Sequence, residues 1–141
     1  KFLSSLLPLF KISFFIPLFG DGSRKFQPVL IEDIEEFLGK AILQTNIEKR
    51  IFELGGPEVF TYKKFYSEIA ETMNKKRVFV PIPMLIAKLV VRIGEKIPIF
   101  PINSEQLSLF ETDNVLEKSK SGFDYFKISP KKIISAIEKS L

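Results

Sequence analysis

Apolar positions recur along the chain with a period that changes several times, and each change predicts an element boundary. Residues 2–10 read as the end of a helix. Phe14 to Phe19 is an apolar run broken by Pro17, which lacks an N–H and predicts an edge or irregular strand. Gly20, Asp21, Gly22 and Ser23 form a turn signal. Lys25 to Ile31 reads as a short strand that runs straight into a helix. Asp33, with Glu36 three residues on, predicts a capping-box start with Asp33 as the cap, and Ile34, Phe37, Leu38, Ala41 and Ile42 then mark one face.

Arg50 to Leu54 is expected to be a strand, closed by Gly55, Gly56 and Pro57. Thr61 is the expected N-cap of a helix through Asn74, with Phe65, Ile69 and Met73 on its buried face. Arg77 to Ile82 reads as a further strand. Pro83 then takes the first position of a helix whose apolar face is Leu85, Ile86, Leu89, Val90, Ile93 and Ile97, with Lys88, Arg92 and Lys96 opposite. The expected role of that helix is packing on the sheet, and the alternative is lying on an anionic membrane surface. Ile97 to Ile102 is an extended connector. Asn103 with Gln106 starts a short helix. Ser129 and Pro130 are the expected N-cap and first residue of a last helix that buries Ile133, Ile134, Ile137 and Leu141.

Strands alternating with helices favour α/β layering. No repeat, low-complexity tract or linker interrupts the chain, so residues 1–141 are expected to form one unit. The apolar stretch from Lys1 to Phe19 also raises the readings of a signal peptide or a membrane span. Lys11, Pro8 and Pro17 oppose a span of ~20 residues, and no small-residue cleavage site follows. A first residue that is Lys and not Met leads us to expect a piece of a longer protein.

Composition narrows the chemistry. The chain has no Cys and no His. Its own residues therefore offer no disulfide, thiol catalysis or Ser-His pairing, and none of the commonest zinc ligand. Net charge is +4, carried by scattered pairs such as Arg24–Lys25 and Lys63–Lys64 that read as solvated faces. No zinc-finger spacing or RNA-binding aromatic motif is present, so nucleic acid is not an expected partner. Glu105, Glu111 and Asp113 lack a companion His or Cys and read as solvated carboxylates.

Four segments, taken in order, resemble the complex I accessory-subunit branch of the extended short-chain dehydrogenases/reductases, in the NAD-dependent epimerase/dehydratase superfamily. They are Pro17 to Ile34 (PLFGDGSRKFQPVLIEDI), Phe52 to Tyr62 (FELGGPEVFTY), Val80 to Pro83 (VPIP), and Glu105–Gln106 through Val115 followed by a Pro-started helix. The resemblance covers nearly the whole chain. It implies an α/β fold, specifically the C-terminal part of a Rossmann-type protein with its small substrate-side subdomain.

It also implies NAD or NADP in the full-length protein, held by an N-terminal Rossmann region that this chain lacks. The glycines, at 20, 22, 39, 55, 56, 94 and 122, match no dinucleotide fingerprint, and no Tyr-x-x-x-Lys is present. Neither cofactor binding nor hydride transfer is thus expected of this chain alone, and no metal is expected. The implied role is a wall of the substrate cleft. Where sugar-nucleotide-modifying relatives carry a phosphate-contacting Arg, the register from Asp33 places Phe26, with Arg24 and Lys25 just before it. Arg24, Lys25 and Gln27 are the candidate substrate-binding residues, against a surface or strand-pairing role. Expected partners are the missing Rossmann region and respiratory complex subunits or an anionic membrane. The expected location is the cytoplasm or the mitochondrial matrix side, peripheral to the inner membrane. A non-catalytic binding or assembly module, or a membrane-surface protein, is the alternative function.

Overall fold

The computed structural model describes residues 2–48, 51–96, 102–116 and 121–140. Where the sequence leads us to expect one unit, these residues gather into two compact ones. The first comprises Lys1–Lys25 and Phe60–Asn114, the second Phe26–Val59 and Val115–Leu141. Each is assembled from separated stretches, so the chain passes between them without a dedicated linker.

In the first unit, α1 (Phe2–Ile12) leads into β1 (Phe15–Phe19), which pairs in parallel with β4 (Val78–Ile82). The register sets Phe15 against Val78 and Pro17 against Val80. A two-stranded sheet has only edge strands, so it accommodates Pro17 and Pro81. Ile16 and Leu18 on one face of β1 are buried. Helix α3 (Tyr62–Thr72) starts where expected, with the Thr61 hydroxyl accepting from Lys64 N–H at 3.1 Å. It buries Phe65, Ile69 and two tyrosines, and Tyr66 meets Phe10 edge-on at 5.6 Å. Arg77 caps the end of α1, donating from Nε (3.0 Å) and Nη2 (2.5 Å) to the carbonyl of Phe10.

Helix α4 (Met84–Gly94) reverses the expected burial. Ala87 and Val91 are buried, as is Gly94, whereas Leu85, Ile86, Leu89, Val90 and Ile93 are 50–81% exposed. The buried face is thus the one with small residues at 87 and 94, and α4 also contacts α5 (Ser104–Ser108). Pro83 is the N-cap residue of α4 and not its first helical position. Ile97 lies outside the described residues. Helix α5 carries the expected capping box, with Asn103 and Gln106 each accepting from the other's backbone N–H.

In the second unit, α2 (Ile31–Leu43) packs Phe37 into an aromatic cluster with Phe52 (5.4 Å), Phe123 (6.0 Å) and Phe126 (5.1 Å). Ile128 closes this core. Asp33 is not the cap. The helix begins two residues earlier, at Ile31, after a Leu30 N-cap that offers no side-chain bond. Asp33 sits in the first turn at 1% exposure, and its Oδ2 accepts from Lys131 N–H at 2.9 Å. A carboxylate near a helix N-terminus is favoured by the macrodipole, and a charge-assisted bond offsets its burial.

That bond also bears on the last helix. Lys131 N–H goes to Asp33, and α7 (Ile133–Ser140) begins three residues after Pro130. It buries Ile133 and Ile137, half-buries Ile134, and Leu141 lies outside the described residues. The strand expected over Lys25–Ile31 shrinks to β2 (Lys25–Phe26). Ile51–Leu54 is not assigned to a strand, and Arg50 lies outside the described residues. Two short elements that the sequence reading does not anticipate are β3 (Phe60–Thr61) and α6 (Gly122–Tyr125), the latter capped by Ser121.

Candidate functional site

The turn after β1 is built by two glycines with positive φ, Gly20 (67°) and Gly22 (72°). Asp21 Oδ1 accepts from Ser23 N–H at 2.9 Å and from Ser23 Oγ–H at 2.7 Å, and these bonds hold its carboxyl below the usual range. The turn is locked onto α3 and the segment before it. Lys63 N–H donates to Gly22 O (3.0 Å) and Tyr62 N–H to Arg24 O (3.2 Å).

Of the candidates, Arg24 and Lys25 belong to the first unit and Gln27 to the second. Arg24 and Lys25 expose their side chains while their backbones are fixed. Lys25 N–H donates to Asp113 Oδ1 at 3.0 Å, and Asn114 N–H donates to Lys25 O at 2.7 Å. The structure thus spends the Asp113 carboxylate on the Lys25 backbone and leaves the two neighbouring cationic side chains exposed. Gln27 spends both ends of its amide on backbone: Nε2 donates to Gly56 O (2.7 Å) and Oε1 accepts from Leu116 N–H (3.1 Å). Glu111 is not simply solvated, because Lys88 Nζ lies 2.5 Å from it.

The tyrosines are held as packing groups. Tyr62 stacks on Phe110 at 4.2 Å and donates its hydroxyl to Leu109 O at 3.1 Å. Burial pushes its pKa up to about 12, and burial followed by the influence of Tyr62 pushes Tyr66 higher still. A folded-state pKa above the unfolded value means that this stabilisation is full below about pH 10 and is lost as pH climbs toward about 12. We expect the urea midpoint of the full-length protein to fall between about pH 9 and about pH 11, and to fall less in Tyr62→Phe/Tyr66→Phe. An equal fall in both proteins would assign the effect to lysines.

Three further glycines lie against other parts of the chain. A Cβ on Gly56 would land on the carbonyl oxygen of Pro28, one on Gly55 would strike the Gln27 amide, and one on Gly122 would strike Leu54 and Phe52. These close approaches are filled by the chain itself, and none opens a helix after a strand as a dinucleotide turn does. Among the described residues, no group of three or more acidic, His or Cys side chains is placed to hold a metal.

No family model matches the chain. Its fold is that of known reductases. Triphenylmethane reductase from Citrobacter sp. superposes over 97% of this chain and 47% of its own, with a TM-score of 0.74 and 14% identity. The dTDP-4-dehydrorhamnose reductase from Bacillus anthracis, solved in complex with NADP, covers 99% of this chain and 41% of its own, at 0.61 and 11%. In sequence, the mitochondrial NADH dehydrogenase (ubiquinone) 1 alpha subcomplex subunit 9 of Arabidopsis thaliana is 28% identical over 130 residues. The chain is thus similar in sequence to this accessory subunit and in fold to the two reductases. It matches 84% of its own length to that subunit but spans only 32% of the subunit, and under half of either reductase. The α/β fold expected of an extended short-chain dehydrogenase is therefore present. Among the described residues, no helix is long and apolar enough to cross a membrane.

Proposed function

We propose that this chain is the substrate-side, C-terminal part of an NAD(P)-binding reductase- or epimerase-like protein related to the accessory subunit of NADH:quinone oxidoreductase. The observation that carries the reading is the joint match: four segments in the order of that branch, on a fold shared with reductases about twice as long. The nucleotide belongs on a preceding Rossmann region. With no Tyr-x-x-x-Lys in these residues, the nucleotide serves as a structural group unless the preceding region supplies the pair. Arg24 and Lys25, exposed on a fixed backbone, are the groups that meet an anionic substrate. Gln27 holds Gly56 and Leu116 through its amide. The protein works on the matrix side of the mitochondrion or in the cytoplasm, among respiratory subunits.

Titration of the full-length protein with NADPH and NADH tests this. We expect at least one of them to bind with micromolar Kd, and Arg24→Ala/Lys25→Ala to leave that Kd within about twofold, since this reading puts the nucleotide on another region. Absence of binding to both sinks the reading. A tenfold weakening in the double variant would place the nucleotide on this chain and sink the division of labour.

A further inference from the structure

One apolar stripe of the first unit has no place in the nucleotide reading. Leu85, Ile86, Leu89, Val90 and Ile93 lie side by side on α4, across an arc of roughly 140° at about 3.6 residues per turn. All five are exposed, and no polar residue interrupts the arc. Single exposed aliphatics are ordinary, but five on one stripe mark a contact surface.

Its chemistry identifies the contact. Interface hot spots between proteins draw on Trp, Tyr and Arg, with Leu and Val under-represented. The arc holds only Leu, Ile and Val, and none of the chain's 15 Phe lies in α4. Such a surface suits hydrocarbon, which requires no shape complementarity. Helix α4 has no acidic residue, and Lys88 and Arg92, one turn apart, flank the arc on one side. Lys88 Nζ is paired with Glu111, but its side chain remains 54% exposed. Long basic stems beside an apolar stripe place their charges at headgroup level while the stripe enters the acyl boundary. At 11 residues α4 is too short to cross a bilayer and long enough to lie along one.

We propose that α4 seats on an anionic lipid surface, with Leu85, Ile86, Leu89, Val90 and Ile93 in the acyl boundary and Lys88 and Arg92 at the phosphates. The chain's net charge of +4 favours the approach. This inference does not rest on the nucleotide reading, since it uses other residues of the first unit.

The test is flotation of the full-length protein with phosphatidylcholine vesicles, with and without phosphatidylserine, alongside light scattering of the protein alone. We expect binding to the anionic vesicles that weakens in high salt. Leu89→Glu/Ile93→Glu should reduce it at least about tenfold and Lys88→Gln/Arg92→Gln by about tenfold, with circular dichroism unchanged because all four positions are exposed. No binding by the wild type, or equal binding by the first variant, overturns the proposal. So does a wild-type dimer that the first variant dissolves, because the stripe would then be a protein interface.

Discussion

Gly56→Ala lowers the thermal midpoint of the full-length protein by roughly 10 °C, through a loss of at least about 3 kcal/mol. The added methyl would occupy the position of the Pro28 carbonyl oxygen, with the Pro28 carbonyl carbon and Val29 Cα close behind. Backbone on both sides cannot rotate away as a side chain can, so two chain segments must separate. Separation also strains the bond from Gln27 Nε2 to Gly56 O. Gly55→Ala meets mainly the Gln27 amide and Leu116 side chain, which can give ground, and should cost less. Gly39→Ala is the internal control. Nothing lies within 4 Å of its added Cβ, and its position inside α2 should make the change stabilising by about 0.5–1 kcal/mol. Calorimetric scans of the three variants check the ranking. A Gly56→Ala protein that melts with the wild type would remove the close approach from the account.

The second large effect is Phe37→Ala. Phe37 is buried at the centre of the second unit and meets the rings of Phe52, Phe123 and Phe126. Truncation removes buried area and leaves a cavity that the surrounding rings cannot collapse to fill, because each is held from another direction. Phe52 also packs on Tyr125 (5.1 Å), and Gly122, next to Phe123, already lies against Leu54 and Phe52. The expected cost is about 3–5 kcal/mol, read from the urea midpoint. Phe37→Leu keeps most of the volume and should lose clearly less. Equal losses from the two would mean that ring geometry, and not cavity size, sets the stability of this unit.

Local signals carried much of the architecture. Thr61 and the Asn103–Gln106 box start their helices as read, because a cap bonds to backbone only two or three residues away. The positive-φ glycines at 20 and 22 mark a turn for the same local reason. The likeness to the accessory subunit was also legible in four ordered segments, and the sequence match at 28% identity agrees with it. Asp33 was misread because its side chain is claimed by Lys131, which is 98 residues away and invisible to a local rule. The candidate Gln27 is held by Gly56 and Leu116, contacts no spacing announces.

From residue types and spacing alone came the α/β class, the absence of thiol and imidazole chemistry, and most helix and strand positions, while the branch likeness came from the resemblance of four segments. Those properties depend on which residues are present and on bonds closed within one turn. Only the tertiary structure decided which face of α4 is buried, which carboxylate holds which backbone, and that the chain gathers into two interleaved units. On α4 the faces 85/89/93 and 87/91/94 have nearly the same period, so periodicity favours neither. The choice falls to whichever face packs more closely against the rest of its unit, and no rule local to the helix decides that.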